Sequence, residues 1–172
     1  MKKMFLLLVA FTVIGMASNS AFSQVNIVRG NFGYLALING NGSAHQGGFG
    51  ATYERATSER MTVGGTFQYI IGDLDMVWIA PEGRFNFNET FNGPYVGMFV
   101  GYGFVTGGPG VFYGVGPQGG YELALTDNLT IDVNVKMGYG MMRQKIDFGF
   151  GSTTITANMF HINPGIGVGY SF

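Results

Sequence analysis

The segment Leu129 to Met141, "LTIDVNVKMGYGM", alternates without a break. Leu129, Ile131, Val133, Val135, Met137, Tyr139 and Met141 fall on one parity, and Thr130, Asp132, Asn134, Lys136, Gly138 and Gly140 on the other. A period of two belongs to a β-strand, whose successive side chains point to opposite faces. The run is also more than twice the usual five or six residues of a soluble strand. The last residues, "FHINPGIGVGYSF" (160–172), repeat the pattern, with Phe160, Ile162, Pro164, Ile166, Val168, Tyr170 and Phe172 on the apolar side. A polar tail is the usual end of a soluble domain. This chain ends on an aromatic residue.

Six further segments carry the same period: 26–38, 48–56, 60–71, 76–87, 94–105 and 111–125. With 129–141 and 160–172 they make eight strands. Between them lie runs rich in turn formers, among them "NGNGSAHQGG", "TSE", "GDLD", "NETFNG" and "TDN". No helical period and no second domain follow residue 23. The first residues, "MKKMFLLLVAFTVIGMASNSAFSQ", have the form of a secretory signal: Lys2 and Lys3, an apolar run over 4–17, and small residues at Ala21 and Ser23. Residues 1–23 are therefore expected to be a signal peptide, with 24–172 forming one barrel domain. An exported chain with no Cys has no disulfide framework to hold it.

Eight alternating strands allow two opposite barrels: apolar inside and wet outside, or apolar outside and polar inside. Composition decides between them. Only 11% of the residues are charged and 30 are Gly, whereas a solvated barrel surface would carry many Lys and Glu and few Gly. On the non-apolar parity, Arg29, Arg84 and Lys136 nearly balance Glu54, Glu82, Glu122 and Asp132, and His161 shares that face. No charge falls in the middle of a strand on the apolar parity, as lipid exposure requires. Arg55, Arg143 and Lys145 lie at strand ends, within reach of headgroups. The fold expected is all-β: an eight-stranded antiparallel up-and-down transmembrane β-barrel with a polar, plugged lumen, the eight ionisable residues forming a structural network. A six-residue turn at 88–93 would place Glu82 across from Phe99 and Arg84 across from Gly97. An interior just filled by side chains leaves no wide pore.

Other motifs carry less. "GVGPQG" (114–119) has the dinucleotide-binding spacing, but a strand and a turn follow it where a helix is needed. Ser43 and His45 share a segment without an acid partner, and Ser171 lies ten residues from His161, roughly 33 Å along a strand. Asp73 and Asp75 make a poor cation site by ligand count. No catalytic residue, cofactor or metal site is expected. With Lys2 and Lys3 removed the charge is −3, no footprint for nucleic acid. The segment 143–160 is expected either to continue strands 7 and 8 as a hairpin turning at Gly151-Ser152, with exposed apolar residues as a contact surface, or to fold back on the rim.

A final strand that alternates and closes on "IGVGYSF" resembles the assembly signal of bacterial outer-membrane barrels, here carried by Tyr170 and Phe172. The whole mature chain resembles the OmpA/OmpX-type eight-stranded barrels, without the peptidoglycan-binding domain of OmpA itself. The "PE-x-R" core at Pro81, Glu82 and Arg84 is similar to a segment common in small outer-membrane barrels. The resemblance implies a multi-pass protein of the Gram-negative outer membrane, inserted by the barrel-assembly machinery with both termini periplasmic. It would be a monomer surrounded by outer-membrane lipid and lipopolysaccharide, with a structural role or one in binding an unidentified extracellular ligand. The alternatives are a lipid A-modifying enzyme, a narrow ion channel and a soluble ligand-binding barrel.

Overall fold

The computed structural model describes residues 25–172 apart from 74, 107, 148 and 150; the proposed signal peptide lies outside the described residues. Eight antiparallel strands form one closed ring: β1 (Asn26–Asn39), β2 (Gly42–Ala56), β3 (Met61–Gly72), β4 (Met76–Asn86), β5 (Gly93–Val105), β6 (Gly110–Ala124), β7 (Leu129–Asp147) and β8 (Ser152–Ser171). Closure matters because an open sheet edge would leave a row of unpaired N–H and C=O groups. β8 pairs with β1 from Ile27–Ser171 to Ile38–Phe160. Two further bonds seal the seam, Asn26 N–H to Phe172 O at 3.0 Å and Phe172 N–H to Asn26 O at 2.9 Å.

The register fixes the shape. A step from Ile27 across Glu54, Gly64, Glu82, Phe99, Gly116, Gly138 and His161 returns to β1 at Leu37, ten residues from where it began. For eight strands that stagger corresponds to a tilt of about 40° and a narrow interior. β4 and β5 pair as the turn length predicts, Glu82 with Phe99 and Arg84 with Gly97. Three strand prolines each coincide with a gap in one ladder. Pairing skips from Ile79–Tyr102 to Glu82–Phe99 beside Pro81, from Val115–Tyr139 to Gln118–Lys136 beside Pro117, and from Gly33–Gly165 to Ala36–Ile162 beside Pro164. Proline has no N–H to donate.

The strands at the end away from the termini are longer than the sequence suggests. β2 begins at Gly42, not 48, because the small polar residues of "GSAHQG" pair with Tyr34–Asn39 after a two-residue turn at Gly40-Asn41. β7 and β8 continue to Asp147 and Ser152 as a paired hairpin. Turn-like composition is compatible with a strand wherever the neighbouring backbone supplies the partners. "GVGPQG" lies wholly inside β6.

The two faces divide as parity dictates. Outward positions expose large apolar side chains, including Phe32 (69%), Tyr139 (73%), Val100 (60%) and Phe172 (62%). A belt of this kind costs roughly 25 cal/mol for every Å² left in water, so it demands an apolar surrounding.

Candidate functional site: the filled lumen

At the end that carries the termini, the lumen holds seven ionisable side chains, all at most 8% exposed. Strand alternation points them inward, and the ring stagger brings distant strands together. Arg29, from β1, spans the lumen: its Nη2 lies 2.6 Å from both Glu122 carboxylate oxygens and its Nη1 pairs with Glu54. Arg84 Nε lies 2.6 Å from Glu54 Oε1, its Nη2 donates to Glu82 Oε1 at 3.2 Å, and its Nη1 lies 3.9 Å from Asp132. Its guanidinium stacks 4.4 Å from the centre of the Tyr95 ring, whose hydroxyl donates to Asp132 at 2.8 Å. Lys136 Nζ pairs with Glu82 and donates to Thr66 at 3.1 Å. Thr130 donates to Glu122 at 2.8 Å, and Asn134 to Asp132 at 2.6 Å. Three cations thus face four carboxylates, each charge with an opposite partner, which burial requires.

Beneath this network the β4–β5 turn folds inward. Phe91 is buried at 5% exposure with φ of 62°, and its ring lies 5.4 Å from the Arg29 guanidinium carbon. A non-glycine residue in the left-handed region is uncommon and persists only where its surroundings hold it. Here the neighbouring Thr90 hydroxyl contacts the Glu59 and Ser58 carbonyls at 2.6 and 3.2 Å.

His161 stands apart from the network in which the sequence reading placed it. Neither ring nitrogen has a hydrogen-bond partner among the described residues. The ring instead lies among Phe99, Phe112 and Trp78, with centroids 5.5, 5.7 and 6.3 Å away. These aromatics belong to an apolar core that fills the other half of the lumen with Leu35, Leu37, Ile70, Met76, Ala80 and Met159. Glycine makes room for it: a Cβ at Gly101 would come 1.7 Å from Trp78 Cζ2, and one at Gly140 would come 2.3 Å from Phe112 Cζ. The charged half and the apolar half together close the lumen. The cavities between them are small, about 10 Å³ beside His161 and about 30 Å³ beside Thr52, Thr66 and Asn134, space for single waters.

Sequence reasoning missed this apolar half. Its signal was present: Trp78, Phe99 and Phe112 have inward parity but sit in the triplets Val77-Trp78-Ile79, Met98-Phe99-Val100 and Val111-Phe112-Tyr113, where both faces are apolar.

The other motifs resolve locally. Ser43 Oγ is 3.0 Å from His45 Nε2, and the Tyr34 hydroxyl is 2.7 Å from Nδ1, so a phenol occupies the position where a Ser–His pair needs a carboxylate. The Asp75 carboxylate accepts the Gly72 N–H at 3.2 Å, a turn contact. Ser171 donates to Asp127 O at 3.3 Å. Tyr170 and Phe172 point outward, both exposed.

A closed ring of eight tilted strands, apolar outside and filled inside, defines the architecture of the small eight-stranded outer-membrane β-barrels. Among solved structures it is similar to Neisserial surface protein A, with a TM-score of 0.59, 18% identity, and 86% of this chain and 97% of the other covered. It is also similar to the outer membrane protein AlkL in lipid bilayers, with a TM-score of 0.62, 13% identity, and 91% and 94% covered. The chain belongs to the family described as protein of unknown function (DUF3575), whose model matches residues 5–148. No curated protein matches it significantly.

Proposed function

We propose that the protein is a non-enzymatic, integral outer-membrane β-barrel, exported by residues 1–23, with periplasmic termini and a structural or surface-binding role exercised at the opposite end. The observation that carries this reading is the combination of a closed ring, an apolar exterior and a lumen filled from end to end. Such a molecule can anchor and present a surface, while its interior offers no wide path.

At the end away from the termini, β7 and β8 continue past the neighbouring strands. The β6–β7 ladder ends at Gly110–Gln144 and the β8–β1 ladder at Ile38–Phe160, so the hairpin tip projects with Ile155 half exposed. That hairpin is the natural contact surface for a partner outside the cell. Tyr170 and Phe172, at the seam between β8 and β1, would serve as the recognition signal for the assembly machinery. A monomer surrounded by outer-membrane lipid and lipopolysaccharide needs no further subunit to satisfy its edges.

The test is fractionation of cells producing the full chain, followed by gel migration with and without boiling, and planar-bilayer conductance of the purified barrel. Outer-membrane recovery, heat-modifiable migration and the absence of a steady large conductance are expected. Recovery in the soluble fraction would overturn the membrane reading, steady conductance would favour a channel, and altered lipid A masses on expression would favour an enzyme.

A further inference from the structure

Arg143 combines three features at the end of the barrel away from the termini. It lies on the outward parity of β7, two positions beyond Met141 and four beyond Tyr139, paired with Val111 on β6 and Thr156 on β8. It is exposed, and it has no ion-pair partner among the described residues. Directly below it the outward face carries an aromatic cluster: Tyr102 and Tyr113 with centroids 5.2 Å apart, and Tyr139 and Phe160 5.6 Å apart. Aromatic rings of a membrane barrel mark the interface between acyl chains and headgroups. A guanidinium one rung above such rings stands at the level of the headgroups.

Its surroundings suit an anion. Lys145 is the next outward residue, paired with Thr154. Thr154 and Thr156 are exposed and offer hydroxyl donors on the adjacent strand. One carboxylate is close: Asp147 lies 3.3 Å from Lys145 Nζ and offsets part of that charge. The other acidic residues at this end, Asp73 and Asp75, belong to the β3–β4 turn, across the ring. The rim is therefore basic on the β7–β8 side and acidic opposite it.

We propose that Arg143, supported by Lys145, Thr154 and Thr156, is a docking site for the phosphorylated headgroup of a lipid in the leaflet away from the termini. The guanidinium donates to two phosphate oxygens side by side, a geometry that lysine cannot reproduce. The acyl chains of the same molecule lie against Tyr139, Met141 and Phe160. A lipid fits better than a free phosphate, because the cation alone stands exposed to screening, whereas the apolar belt beneath holds the ligand's other end. Arg143 is the anchor and Lys145 the lesser partner, since Asp147 competes for the latter.

The inference rests on the membrane placement proposed above, and its failure is distinguishable from failure of that placement. The full-length product, purified folded in neutral detergent, is titrated with bis-phosphorylated lipid A, with the same lipid dephosphorylated and with inorganic phosphate. Retained lipid is counted by native mass spectrometry. The unaltered barrel is expected to retain the phosphorylated lipid about tenfold more tightly than Arg143→Ala, the gain of a charge-assisted contact. Lys145→Ala should lose less, and Arg143→Lys should fall between. Arg55→Ala/Arg60→Ala, at the other end, should match the unaltered protein. Equal retention by Arg143→Ala would overturn the proposal, as would equal loss from Arg55→Ala/Arg60→Ala or displacement of the lipid by millimolar phosphate. In each case normal heat-modifiable migration would leave the barrel reading intact.

Discussion

Arg84 is the hub of the lumen, and its removal is the sharpest test of the face assignment. The side chain stands 2.6 Å from Glu54, 3.2 Å from Glu82 and 3.9 Å from Asp132, with 4.4 Å to the Tyr95 ring. Arg84→Ala takes the network from three cations against four carboxylates to two against four, and opens a void where the guanidinium lay. Removing one partner of a buried pair costs about 3–5 kcal/mol, because the remaining charge stays buried. Arg60→Ala, exposed in the β2–β3 turn, should stay within about 0.5 kcal/mol. Urea titration of the folded barrel in micelles, read by gel migration and Trp78 fluorescence, gives both differences. If the cost arises from orphaned carboxylates, Glu54→Gln in the Arg84→Ala background should recover part of it, a coupling of about 1–3 kcal/mol. Arg84→Lys, which keeps the charge but loses the fork, should fold with an intermediate loss and keeps the test open if Arg84→Ala does not fold. An Arg84→Ala barrel within about 1 kcal/mol of Arg60→Ala would refute the reasoning.

Further outcomes follow from particular contacts. Deleting Phe172, or changing Tyr170 and Phe172 to Ser, should lower the heat-modifiable fraction in outer membranes, since Phe172 makes two backbone bonds across the β8–β1 seam; Ser171→Ala loses one 3.3 Å contact and should be far milder. Gly101→Val should abolish folding, judged by gel migration, because even a Cβ would overlap Trp78 at 1.7 Å, while Gly30→Ala, with nothing within 4 Å, should fold normally. Phe91→Ala removes the buried ring under Arg29 and should cost about 3 kcal/mol in the same urea titration. Mass spectrometry of the membrane-extracted protein should find Gln24 at the N-terminus.

The outer wall of this barrel is legible residue by residue, because lipid accepts one kind of side chain and therefore imposes a strict parity. Leu129 to Met141 shows it without exception, and the pairing of Glu82 with Phe99 follows from counting the turn at 88–93. The lumen imposes no such rule. Where it is shielded from water at both ends, a layer can be filled by paired charges or by rings. Trp78, Phe99 and Phe112 therefore interrupt the alternation rather than obey it, and they carry His161 into an apolar setting that its parity alone could not reveal. The partners within the charged half were hidden for a different reason. Arg29 on β1 meets Glu122 on β6, and Lys136 on β7 meets Glu82 on β4. These strands are not neighbours, so no local spacing records the meeting. It is set by the ten-residue stagger that accumulates around the whole ring, a quantity to which each turn contributes and which no single segment contains.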